Sequence, residues 1–326
     1  MKKKITILLV IFALIIVFYS YTQIHSTKIN KTKNISIKKL TKTNLNTIAY
    51  FTGLNYLYSI NIESKIKNTV SGYLGPGKAA DSVIKIKNNE YAISNESSQI
   101  NICKTGKCSQ GNFVSIIKGY TQNGIFYNFQ GVGDLAFYKG YLYATDVIRG
   151  VIVKINIQNF SASAIVTGLT NPHGIYFYNN NLYINLEYYI YQNNKCSLIK
   201  VNPINWNVSG CVTQIGGYAD GVAGYQNKLY VVRDYYQSSG MYNASVYLVN
   251  LQTLKYTNLI NVNNQYIDGI GYNSKSVLAV FRSANPDSIG TKHYNHIPGL
   301  YNISNGIPTL LVSGTFDGVY FPAHIK

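Results

Sequence analysis

The chain is 326 residues long, carries 31 Tyr, 12 Phe and only 13% charged residues, and has a formal net charge of +17. Charge well below the roughly 25% of an average soluble domain excludes long amphipathic helices, whose outer faces need Glu and Lys; the favoured β-branched, aromatic, Gly and Asn residues suit strands and turns. The basic excess does not point to nucleic acid, because nine lysines fall within residues 2–42 and no basic stripe marks the remainder.

The first element is membrane-directed. Residues 1–4 are a basic segment, and an apolar run follows within residues 5–23 (ITILLVIFALIIVFYSYTQ). A basic start followed by such a run is an export signal. FYSYTQ offers no small-x-small cleavage site, which favours an uncleaved signal anchor; a secreted protein released by cleavage is the alternative. Lysines on the short side place residues 1–4 in the cytoplasm and the remainder outside. Residues 24–44 are polar, basic and without period, and read as a tether that could rest on anionic lipid. Few carboxylates also suit an acid environment, since protonating them removes little stability.

Residues 45–326 contain a repeat. ADSVIKIKNNEYAIS, VGDLAFYKGYLYATD, PHGIYFYNNNLYIN, ADGVAGYQNKLYVVRD, IDGIGYNSKSVLAVFR and FDGVYFPAHIK align, with Val83, Leu135, Ile175, Val222, Ile270 and Val319 opening a strand in each. Successive openers lie 52, 40, 47, 48 and 49 residues apart, the period of a β-propeller with about four short strands per blade. The sixth copy stops short, and TIAYFTGLNYLYSINI (residues 47–62) supplies the missing strands, so both chain ends would complete one blade and close a ring of six. The predicted fold is all-β.

Cys103 and Cys108 flank a Thr-Gly reversal, and Cys196 and Cys211 flank another. In an exported chain these predict two local disulfides, and their spacings suit zinc poorly. Sequons at Asn30, Asn34, Asn95, Asn159, Asn207, Asn243 and Asn302 make a glycoprotein plausible outside the cell.

NPHGIYFYNNNLYI and ADGVAGYQNKLYVV resemble the inner hairpins of six-bladed NHL and SMP-30-like propellers. That resemblance covers about residues 46–326 and implies the fold. SMP-30-like members hold a divalent metal at the axis and hydrolyse lactones or esters. The Glu expected near the first inner strand is missing here, so Glu187, Asp220 and Asp268, with Asp146 and His173, stand only as metal candidates for a Ca²⁺-type site.

Charge concentrates where loops should open on one face. Two residues before the openers stand Asp81, Gly133, His173, Asp220, Asp268 and Asp317, with Asp134 one place along in blade two. Past the second strand lie Asp146, Arg149, Glu187, Arg233, Asp234 and Arg282, including all three arginines. The simpler reading gives each Asp a local job in its own turn, and the arginines a pairing job. GxSxG, HExxH and Walker motifs are absent, and HYNH at 293–296 lacks a nearby third zinc ligand. Two functions compete: an extracellular module recognising a protein or glycan, on a cell envelope or virion surface, and a metal-dependent hydrolase. The missing acid/base pair favours recognition.

Overall fold

The computed structural model describes residues 48–53, 56–72, 74, 80–87, 89–95, 98–187, 196–236, 242–272, 276–283, 296–314 and 319–320. The chain divides into Met1–Leu45 and Asn46–Lys326. The anchor at 5–23 and the tether at 24–44 lie outside the described residues, and among those described no helix is long and apolar enough to cross a membrane.

Residues 46–326 form a six-bladed propeller. Blade one runs outward as β4 (Ala80–Lys87), β5 (Glu90–Asn95), β6 (Gln99–Lys104) and β7 (Ser115–Ile117). Blade two is β10 (Val132–Tyr138), β11 (Tyr141–Asp146), β12 (Val151–Asn156) and β13 (Ala162–Val166). Blade three is β14 (Pro172–Tyr178), β15 (Asn181–Leu186), β16 (Leu198–Val201) and β17 (Val208–Thr213). Blade four is β18 (Tyr218–Tyr225), β19 (Lys228–Tyr236), β20 (Tyr242–Asn250) and β21 (Tyr256–Asn263). Blade five is β22 (Gln265–Tyr272), β23 (Val277–Ser283), β24 (Gly299–Asn302) and β25 (Thr309–Ser313). Blade six takes β26 (Val319–Tyr320) from the end of the chain and β1 (Ile48–Gly53), β2 (Tyr56–Asn61) and β3 (Lys67–Thr69) from the start. Phe51 pairs with Val319 and Tyr50 with Tyr320, which gives β1 a partner on the side it would otherwise expose.

The blades are short sheets that bury both faces. Leu142 and Ala144 on β11 pack toward blade one, while Tyr143 between them packs toward blade three. Apolar clusters fill every seam, down to Ala49, Phe51 and Ile60 of blade six against Leu278, Val280 and Leu300 of blade five. Two-sided burial explains why these strands read as near-continuous apolar runs rather than alternating ones.

Two loop types account for the Asn content. Inner hairpins turn on the two-residue loops Lys139-Gly140, Asn179-Asn180 and Gln226-Asn227, each with positive φ at both positions. These match the right-handed strand twist, and Asn and Gly tolerate them best. At the outer end an Asn ends the third strand of four blades, Asn61, Asn156, Asn250 and Asn302, and Asn202 directly follows that of blade three. Each of these Asn side chains accepts the amide two residues on, from Glu63, Gln158, Gln252, Ser304 and Ile204 respectively. The fourth residue after each Asn is left-handed: Lys65, Phe160, Trp206, Leu254 and Gly306. Blade one puts Lys104 in the Asn place, and the Cys103–Cys108 disulfide closes its loop instead. The second disulfide joins Cys196 to Cys211 within blade three, so both predicted pairings form.

One element is additional. β8 (Gly119–Gln122) and β9 (Ile125–Asn128) form a hairpin between blades one and two. It adds to the outer edge of blade two through parallel pairing of Thr121 with Ser163.

Candidate functional site at one end of the channel

The start of each inner strand lies beside the end of the second strand: Val132 pairs with Asp146, Pro172 with Leu186, Ala219 with Arg233 and Ile267 with Phe281. Between start and opener the register shifts in every one of these blades. The repeated pairs Gly133-Asp134, His173-Gly174, Asp220-Gly221 and Asp268-Gly269 are therefore β-bulges, two residues facing one. A bulge re-aims its side chain and tolerates a position without a Cβ.

The glycines are required by close approach of the blades. A Cβ on Gly174 would stand 2.3 Å from the Asp220 carbonyl oxygen, and one on Gly221 would stand 2.9 Å from the Ile270 nitrogen. Blades one and two fill the same place with polar side chains. Ser82 Oγ accepts a hydrogen bond from Leu135 N at 3.3 Å, and the Asp134 carboxylate accepts from Ile175 N and from Ser82. Asp134 thus clasps the next blade, which explains why the acid of blade two is displaced by one position.

The charged side chains of this end engage one another. His173 Nδ1 lies 3.8 Å from Asp220 Oδ1. Asp220 is hydrogen-bonded through its side chain to Asp234, whose Oδ1 also accepts from Ile267 N at 3.4 Å. Asp268 is bonded to Nη1 of Arg282, and the Arg282 guanidinium lies 5.1 Å from the Tyr266 ring. Glu187 bonds to Asn171 and feels the charges of His173 and Arg233.

Arg233 is fully buried and serves the seam between blades three and four. Its Nη1 donates to the carbonyls of Leu186 at 2.6 Å and Gly217 at 3.3 Å, and Nη2 donates to that of Ser197 at 2.7 Å. Asp146 and Arg149 stand apart, under the additional hairpin. Asp146 accepts from Gln130 N, Arg149 N and the Tyr120 hydroxyl.

Burial dominates the protonation of this end. It pushes Asp234 up to about 7, with Asp268 adding and the Asp220 bond, Ile267 N and Arg233 opposing. It pushes Asp134 up to about 6, opposed by His173 and by the Ser82 and Ile175 hydrogen bonds. Glu187 and Asp146 are raised for the same reason. The hydrogen bond between the Asp220 and Asp234 carboxyl groups requires one of the two to carry a proton.

Among the described residues, no group of three or more His, Cys, Asp and Glu is arranged to hold a metal ion. Of the metal candidates, Asp268 is taken up by Arg282, Asp220 by His173 and Asp234, and Glu187 by Asn171. Asp317 and the side chain of Asp81 lie outside the described residues, as does His293. His296 is described: its backbone bonds twice with the Gln265 side chain, and its ring meets Phe281 and Tyr301 edge-on.

Sequence reasoning missed three residues that fix this end. Thr145 Oγ1 donates to the His173 carbonyl of the next blade at 3.0 Å. Asn185 Nδ2 does the same for the Asp220 carbonyl at 2.8 Å, and Ser82 clasps Leu135 as above. The signal was available: Thr145 and Asn185 are polar residues within the apolar runs YLYATD and NLYINL.

No family model matches the chain, and no curated protein matches it. Among solved structures, the propeller is similar to a chain from the crystal structure of a nidogen/laminin complex, with a TM-score of 0.61 at 11% identity. The match covers 84% of this chain and 97% of that one. It shows a shared fold. The NHL and SMP-30-like style of the inner hairpins stays a likeness of architecture.

Proposed function

We propose that the protein is an extracellular recognition module, a propeller held outside the cell by the signal anchor at 5–23 and the tether at 24–44. The observation that carries this reading is the internal consumption of the channel charges. Asp268 with Arg282 and Asp220 with Asp234 tie strands within blades five and four, while His173 with Asp220 and Arg233 with its three carbonyls join blades three and four. A hydrolase would instead need an acid and base free to meet a substrate. The similar propeller comes from a complex of two named proteins, which supports a protein as the partner here too. Exposed sequon residues Asn159 and Asn207 would carry glycans on such a surface.

The test is capture on cells of the native source with the full chain, using saturation and competition by unlabelled chain as the readout. Saturable retention of a protein is expected. Retention that never saturates, together with Ca²⁺-stimulated ester or lactone hydrolysis lost in Asp220→Asn, would replace recognition by catalysis.

A further inference from the structure

The additional hairpin builds something the propeller does not need. Between its inner face and the edge of blade two lies a cleft of about 450 Å³, lined by Tyr120, Gln122, Tyr127, Arg149, Val151 and Thr167 among others. The floor is anchored. Tyr120 is buried, lies with its ring tilted 5.4 Å from that of Phe129, and holds Asp146.

Arg149 is the only arginine here whose guanidinium is not consumed by the fold. Its Nε donates to the Asn128 carbonyl at 3.2 Å, and its guanidinium rests 5.2 Å from the Tyr127 ring. Asp146 is a distant counter-ion at 3.9 Å, and its carboxylate is already occupied by two amides and a hydroxyl. Nη1 and Nη2 make no hydrogen bond among the described residues. The guanidinium is thus oriented by Nε and by the ring, with its planar fork open to a ligand.

We propose that this cleft receives a carboxylate side chain from an acidic, partly apolar segment of a partner protein, held by the two open nitrogens of Arg149. The carboxylate fits the fork in a bidentate manner. Charge complementarity favours an acidic partner, since residues 43–326 hold 20 Lys and Arg (29 less the nine lysines of 2–42) against 12 Asp and Glu. Apolar residues of the partner would meet Ile125 and Ile148, which are 59% and 67% exposed; Ile125 pairs across from Gln122, and Ile148 precedes Arg149. This inference rests on the recognition reading and names its docking point.

The experiment titrates the full chain in detergent with a fluorescent capped peptide of alternating Glu and Leu, at about 0.15 M salt to screen diffuse attraction. The same peptide with Gln in place of Glu should bind at least tenfold more weakly. Arg149→Gln should weaken the Glu peptide at least tenfold, and Arg149→Lys should not restore it. Thr167→Trp, which fills the cleft and leaves Arg149 in place, should do the same, whereas Lys154→Gln on the Tyr141 ring should change nothing. Equal binding of both peptides, or unchanged binding by Arg149→Gln and Thr167→Trp, would overturn the proposal. So would displacement by glucuronate and not by N-acetylglutamate, which would make the ligand a glycan. If captured partner is retained in full by Arg149→Gln, this docking point falls while recognition stands. If the peptide binds through Arg149 yet no partner is captured, the reverse holds.

Discussion

Three kinds of single residue decide how this ring is held. Arg233 satisfies three carbonyls at a buried seam. Arg233→Met leaves them unpaired, and unfolding should become easier by about 3–5 kcal/mol. Denaturant titration measures it; a loss below about 1 kcal/mol would show that the seam does not depend on the guanidinium. Gly174→Ala pushes a methyl against the Asp220 carbonyl, which should cost about 1–3 kcal/mol by the same measurement. The buried acids set the pH response. Asp134 and Asp234 hold protons in the fold up to about 6 and about 7, above the 3.8 of a free Asp. Their stabilisation is complete below about pH 4 and is lost as pH rises through 6 to 7. Calorimetry should therefore find a higher melting temperature at pH 5 than at pH 8, and Asp234→Asn should flatten the difference. A melting temperature that rises from pH 5 to pH 8 would contradict the assignment. Much of this was readable from the residues: His173, Asp220 and Asp268 recur at one place before each opener, and they do share one end of the channel. Their partners were not readable. Which acid meets Arg282, and which acid hydrogen-bonds Asp220, depends on how each bulge offsets the first strand of a blade against the second, and no pattern along the chain encodes that.

At the scale of elements, the repeat fixed the blades and hid an insertion. The interval of 52 residues between Val83 and Leu135 passed for one period, yet it holds β8 and β9. The hairpin signal was present, since Asn123-Gly124 has positive φ at both positions, the turn that this dipeptide favours. It was masked because a period of 40–52 residues leaves room for an extra pair of short strands. The outer loops show the opposite case, a regular signal spread too thinly to notice: an Asn, three variable residues and a left-handed fifth. Asn250 accepts amides from Gln252 and Thr253, so Asn250→Ala should cost about 0.5–2 kcal/mol, the range of comparable caps. Blade one should not respond to Lys104→Asn in the same way, because its disulfide already closes the loop. Comparing the two melting shifts tests whether the Asn stands in for a covalent bridge.

For the whole molecule, ring closure comes first. β26 is two residues long, but it joins the last blade to the first and completes the circle of inner strands. A chain ending at Gly314 leaves β1 with an open edge, and its melting temperature should fall by about 10 °C or more. The charged end is internally paired, so chelator or added Ca²⁺ should move the melting temperature by less than about 1 °C, within the scatter of weak ion effects. A channel end whose charges are paired internally suits recognition better than turnover. The most direct measurement is photo-cross-linking on cells of the native source, with a photoreactive residue placed in turn at exposed sites including Ile125, Ile148 and Ile204. A saturable adduct with one protein is expected, strongest beside the Arg149 cleft and competed by unlabelled chain. Adducts absent at every position, with metal-dependent hydrolysis by the same preparation, would contradict recognition.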